Sequence, residues 1–162
     1  MMTIPLEEIL REYMCARGLK LATAESCTGG LVSDRITNVS GSTEYFPGGI
    51  VAYSNEAKAS LLGVSWDILN EHGAVSKETV LEMARGVRKL FNTNIGVSVS
   101  GIAGPTGGTP EKPVGTTWIG LVTKTGEWAR HFVWDGDRVH NKILSSEAAL
   151  QFVVDYLEGK IK

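Results

Sequence analysis

Between Gly41 and Lys58, in GSTEYFPGGIVAYSNEAK, lie side chains that can attack a carbonyl carbon or move a proton: the hydroxyls of Ser42 and Thr43, the phenol of Tyr53 and the amine of Lys58. A serine or threonine hydroxyl is a poor nucleophile until a neighbouring base takes its proton, and a lysine can fill the place more often held by histidine. Lys58 falls in the first turn of a helix predicted over residues 55–62, where the positive end of the helix dipole disfavours the ammonium form. Burial behind the Gly-rich strand predicted over residues 48–53 would push the same way and bring a neutral, base-competent amine within reach at neutral pH. The bland alternatives are a surface lysine, simple turn chemistry at Ser42 and Thr43, and a core aromatic at Tyr53 with its hydroxyl satisfied.

Two further segments carry chemistry of a different kind. AESCTGG, residues 24–30, leads from a strand into a helix start, where free backbone N–H groups favour a phosphate or a developing oxyanion. Cys27 there could be an activated thiol, although with no histidine near it in sequence a buried structural thiol is the simpler reading. SGIAGPTGG, residues 100–108, offers backbone N–H groups around Gly101 in a long glycine- and proline-rich loop. It has neither the lysine of a P-loop nor dinucleotide-fingerprint spacing. His72, His131 and His140 lack metal-ligand spacing, so no metal is expected. DGDR, residues 135–138, could supply a cation for a phosphate or cap the next helix.

These segments need a scaffold, and the periodicities supply one. Apolar residues recur at helical spacing over 3–17, 31–39, 80–91 and 139–157, with short helices at 55–62 and 66–71. Strand patterns fall at 19–24, 48–53, 95–102, 114–123 and 127–134, the last two close enough to form a hairpin. Interleaved helices and strands ending in a hairpin predict a three-layer α/β/α sandwich on a mixed sheet with one antiparallel member. In such sheets ligands gather where strands end and helices begin.

The chain has 162 residues, 43% of them hydrophobic, enough for one substantial core, so a single domain over residues 1–162 is expected. Sixteen basic residues against eighteen acidic ones give a formal charge of −2, which disfavours nucleic acid and anionic membrane as partners. The cysteines, Cys15 and Cys27, form no framework, and neither a signal peptide nor a span of about 18 apolar residues is present, so a reducing, cytoplasmic setting is expected.

Taken in order, AESCTGG, GSTEYFPGGIVAYSNEAK, HGAVS, SGIAGPTGG, EKPVGT and GDR closely resemble the CinA C-terminal domain family, the nicotinamide-nucleotide amidases, from about Thr23 to Arg138. The resemblance implies the same sandwich fold. It also implies hydrolysis of the carboxamide of nicotinamide mononucleotide to nicotinate mononucleotide and ammonia, without metal or cofactor. The family's lysine base and assisting tyrosine fall on Lys58 and Tyr53, a further serine near the site on Ser26, and an arginine suited to phosphate on Arg138. Counting back from Lys58 puts the family's nucleophilic serine at Thr43, with Ser42 just before it. A second arginine usual after GDR is replaced by Lys142.

On that basis Thr43 or Ser42 is expected to attack, Lys58 to carry the proton, and Tyr53 and Ser26 to hold the lysine. Thr28, Gly29, Gly30, Asn55, Ser100, Gly101, Gly104 and Arg138 are expected to bind substrate, with backbone N–H groups around Gly29 and Gly101 facing the oxyanion. A branched threonine nucleophile leaves open a nucleotide-binding protein without turnover, and a changed pocket would make the chain an amidase for another carboxamide. The stand-alone form that the chain resembles is expected to form homo-oligomers.

Overall fold

Alternation along the strand Leu21–Glu25 (β1) divides the interior in two. Ala22 and Ala24 join Leu62, Leu69, Met83 and Val87 on one side of the sheet, while Leu21 joins Leu10, Met14, Ile36, Leu150 and Val153 on the other. The computed structural model describes residues 2–161; Met1 and Lys162, the ends of the expected 1–162 domain, lie outside the described residues.

The remaining elements are arranged in chain order around that division. Helix α1 (Leu6–Arg17) precedes β1, and α2 (Leu31–Thr37) and a 3-10 turn (Ser42–Glu44) lead into β2 (Gly48–Val51). Three helices come next, α3 (Asn55–Leu62), α4 (Trp66–His72) and α5 (Lys77–Phe91). The chain ends with β3 (Ile95–Gly101), β4 (Thr116–Thr123), β5 (Glu127–Val133) and α6 (Arg138–Leu157). The sheet runs β2-β1-β3-β4-β5, with β1 parallel to both β2 and β3, and β4 antiparallel to its neighbours β3 and β5. Helices α1, α2 and α6 cover one face and α3, α4 and α5 the other, giving the three-layer sandwich.

Close approach of α5 depends on two glycines. A Cβ on Gly96 would lie 2.3 Å from the Ala84 carbonyl oxygen, and one on Gly120 2.5 Å from that of Val80. Both obstacles are backbone atoms, so relief would require α5 to lift off β3 and β4. Gly96→Ala is therefore expected to destabilise the fold by about 1–3 kcal/mol, the usual range for overpacking, read as a lower midpoint in denaturant unfolding.

Several boundaries move from those the sequence predicts. Pro5 serves as the N-cap of α1 instead of lying inside it, and α2 ends at Thr37. Strand β2 ends at Val51, and as an edge strand with one neighbour it is half-buried until that exposed residue. The helix starts match their capping signals. Ser54, Ser76 and Asp137 accept N–H groups of Ala57, Thr79 and His140 at the starts of α3, α5 and α6.

Candidate active site

Because β1 and β2 are parallel neighbours, both leave the sheet at the same edge. Ser26 is the first residue beyond β1, and its N–H donates to the Val99 carbonyl at 2.9 Å, which extends the β1–β3 ladder by one step. Beyond β2, the Ala52 N–H donates to the Glu25 carbonyl at 2.9 Å, and the chain then turns at Ser54 into α3. The first turn of that helix aims Lys58 back at the sheet. Its side chain is 1% exposed, and Nζ donates to Ser26 Oγ at 3.0 Å.

Burial lowers the pKa of the Lys58 amine from the ordinary lysine value. The Cys27 thiol is itself pushed up to about 12, chiefly by burial, so it remains a protonated wall residue and not an activated nucleophile. Gly101 makes room for it: a Cβ there would lie 3.2 Å from Cys27 Sγ and 2.7 Å from Thr117 Oγ1.

A hollow of about 270 Å³ opens over the Ser26–Lys58 pair, and Tyr53, Asn55, Ser100, Gly101 and Arg138 line it. Tyr53 is 63% exposed, and its hydroxyl accepts from Arg138 Nη2 at 2.9 Å. The phenol thus stands at the rim, paired with the guanidinium, and of the two residues expected to hold the lysine amine only Ser26 bonds it. Arg138 Nη1 donates to the Gly104 carbonyl at 2.8 Å, and Asn141 Nδ2 to that of Ala103 at 3.0 Å, so the start of α6 holds the glycine-rich loop in place. Ser100 Oγ donates to the Ala74 carbonyl at 2.8 Å, fixing the Ala74–Val75 wall of the hollow. Sequence reasoning missed that wall, although the HGAVS motif that contains it was an available signal.

The other expected site residues lie elsewhere. Ser42 and Thr43 sit in the 3-10 turn before β2, at the opposite edge of the sheet, where the Tyr45 carbonyl accepts from the N–H of Leu21, the first residue of β1. The five residues of β1 separate that edge from Ser26 by roughly 15 Å at about 3.3 Å per residue, so neither hydroxyl can meet Lys58. Counting residues back from Lys58 therefore picks an alcohol that the fold keeps away from the amine. The hydroxyl within its reach is that of Ser26.

Thr28, Gly29 and Gly30 line a separate hollow of about 500 Å³ together with Asp34, Val139 and Lys142. The expected oxyanion donors there are already engaged: Gly29 N–H donates to the Ser26 carbonyl and Leu31 N–H to that of Thr28, both at 3.1 Å, and the N–H groups of Val32 and Ser33 donate to the Glu25 carboxylate. Among the described residues no three His, Cys, Asp or Glu side chains converge to hold a metal ion, and no helix is long and apolar enough to cross a membrane.

The chain matches the CinA C-terminal domain family over residues 3–157. It is 49% identical over 148 residues to a CinA-like protein of Salinibacter ruber, covering 91% of this chain and 36% of that one. To a CinA-like protein of Chloroherpeton thalassium it is 49% identical over 160 residues, covering 96% and 38%. The chain thus spans little more than a third of the length of these curated relatives. The crystal structure of competence damage-inducible protein A from Klebsiella pneumoniae superposes with a TM-score of 0.91 at 32% identity, covering 94% of this chain and 95% of that one. A competence/damage inducible protein from Agrobacterium tumefaciens superposes with a TM-score of 0.86 at 36% identity, covering 97% and 99%. Over nearly its whole length, in sequence and in fold, the chain belongs to the CinA C-terminal domain family.

Proposed function

We propose that the chain is an amidohydrolase of the serine–lysine type that hydrolyses the carboxamide of nicotinamide mononucleotide to nicotinate mononucleotide and ammonia. The observation that carries the reading is the buried Lys58 amine, its pKa lowered, 3.0 Å from the Ser26 hydroxyl at the floor of a ligand-sized hollow.

In the neutral amine the Lys58–Ser26 bond reverses, and Nζ accepts the hydroxyl proton as Oγ attacks the carboxamide carbon. The resulting ammonium returns that proton to the amide nitrogen, the C–N bond breaks, and ammonia leaves behind an ester on Ser26. Water then adds to the ester with Lys58 again taking a proton. The C–O bond to Ser26 breaks, Oγ recovers its proton from Lys58, and the carboxylic acid departs. The sum is amide plus water giving acid plus ammonia.

Arg138 is suited to the nucleotide phosphate, because both its bonds go to neutral oxygens and its charge remains available to an anion at the rim. Ammonia release from nicotinamide mononucleotide tests the assignment. Multiple turnovers are expected, with Arg138→Ala raising KM about 10-fold or more, since a charged hydrogen bond to ligand contributes about 1.5–3 kcal/mol. Absence of release from this substrate, with release from an uncharged carboxamide, would move the specificity away from nucleotides.

A further inference from the structure

Next to Ser26 lies a carboxylate that the proposed reaction does not use. Glu25, the last residue of β1, is 1% exposed, and its side chain lies on the α2 side of the sheet. Oε1 accepts from the Thr28 hydroxyl at 2.7 Å and the Val32 N–H at 2.8 Å. Oε2 accepts from the Ser33 N–H at 3.0 Å and the Ser33 hydroxyl at 2.7 Å. The Ser33 hydroxyl is in turn 2.8 Å from that of Thr23, one step back on the same face of β1. None of these partners is a cation. A buried carboxylate is compensated by four donors, all from the segment between Ser26 and the first turn of α2.

The arrangement clamps the turn that bears Ser26. Upstream, the Ser26 N–H is fixed to Val99. Downstream, Gly29 N–H bonds the Ser26 carbonyl and Leu31 N–H the Thr28 carbonyl, both at 3.1 Å, which makes two successive turns ending on α2. Helix α2 has seven residues, fewer than an isolated helix needs to persist, so its start must be held from outside. Glu25 holds it from the position before Ser26. Since neighbouring residues on an extended chain point to opposite faces, fixing Glu25 towards α2 sets Ser26 towards α3 and Lys58.

We propose that Glu25 is a positioning residue for Ser26: its carboxylate locks the β1–α2 turn so that Oγ stays aligned with the Lys58 amine. This rests on the serine–lysine reading above. In Glu25→Gln one oxygen becomes an NH₂ donor facing groups that are themselves donors, so at least one of the four bonds is lost and the turn must shift. A displacement of about 1 Å at reacting atoms lowers rates by up to about 10²-fold.

The test measures the rate at which a fluorophosphonate probe labels Ser26, located by peptide mass spectrometry, beside kcat and KM for ammonia release. Glu25→Gln, with wild-type circular dichroism, is expected to label about 10- to 100-fold more slowly and to lose kcat by a similar factor with KM within about twofold. Placed on Lys58→Ala, the same change is expected to cause little further loss, because the aligned pair no longer exists. Labelling of folded Glu25→Gln at the wild-type rate would overturn the proposal. So would an equal fractional loss in both backgrounds, which marks a merely structural role.

If Glu25→Gln does not fold, Thr28→Val decides. It removes one donor and keeps the shape, and it is expected to label several-fold more slowly; an unchanged rate would overturn the proposal. If the wild type labels at Ser26 yet releases no ammonia from nicotinamide mononucleotide, the substrate assignment fails while the labelling comparison still decides the role of Glu25.

Discussion

Ser26→Ala is expected to lower kcat by about 10³-fold or more, with KM little changed, while Thr43→Ala stays within about twofold of wild type. Removing a nucleophile leaves only what binding and orientation contribute, so the loss falls on kcat and not on substrate affinity. The contrast between the two alanines arises from the sheet. Thr43 is exposed on a turn at the edge where β1 begins, whereas Ser26 is buried at the edge where β1 ends and its hydroxyl contacts Lys58. Ammonia release from the purified variants reads both effects. A large loss in Thr43→Ala with Ser26→Ala intact would return the nucleophile to the 3-10 turn and leave the Lys58–Ser26 contact without a role in chemistry.

Lys58→Met is expected to lower kcat by about 10²- to 10⁴-fold, the usual contribution of a positioned general base, and at the same time to raise stability at neutral pH. Methionine has nearly the shape of the lysine stem and no charge to desolvate, so the buried site should accept it at a gain of order 1 kcal/mol, about 2–4 °C in Tm for a domain of this size. The sign of the pH dependence is set by the lowered folded-state pKa of Lys58. Between that value and the unfolded one, the unfolded chain binds a proton that the folded chain has released. Stability therefore rises with pH through this window and is lower below it. Activity has the same sign, because attack needs the neutral amine: kcat/KM rises with pH along a limb that lies below the ordinary lysine range. In Lys58→Met both dependences should disappear together. Thermal unfolding across pH, beside a pH–rate profile, checks them, and a Tm that falls on substitution would contradict a desolvation cost at Lys58.

Much of this architecture is legible in the sequence because local signals there agree with the global fold. Ser76 before an amphipathic run and Asp137 before the last helix are capping residues in the chain and in the structure. The three-residue gap at residues 124–126 makes the β4–β5 hairpin. Lys58 could be singled out because its place in the first turn of α3 is a local property. Ser26 is expected beside the amine only through the resemblance, and as a holding residue; it lies 32 residues from Lys58, and proximity in sequence favours Ser42 and Thr43 as the attacking alcohol. The necessary clue was topological. In parallel neighbours, the segments leaving the two strands meet at one edge of the sheet, and residues that precede a strand belong to the opposite edge. Ser26 comes after β1, Lys58 after β2, and Thr43 before β2.

The start of α2 was misread for a different reason. Free N–H groups at a helix start are a sound general expectation, but they bind an external anion only if no side chain reaches them first. Glu25 lies one position upstream of Ser26 and reaches the N–H groups of Val32 and Ser33. Tyr53 illustrates a third limit, since sequence placed it near the site but could not tell whether its hydroxyl would meet Lys58 or Arg138. The binding-only alternative rested on the branched side chain of Thr43, and with Ser26 beside the amine that reason for expecting lost turnover no longer applies.

The proposed hydrolysis depends on the charge state of one amine, and a titration of the lysine side chains through their ε-carbon NMR signals, with Lys58 assigned by its loss in Lys58→Met, measures that directly. The Lys58 signal is expected to titrate below the ordinary lysine value, and in Ser26→Ala it should still do so, because burial and not the hydroxyl sets the shift. A Lys58 signal that titrates at the ordinary lysine value would mean a charged amine at neutral pH and would contradict the serine–lysine mechanism.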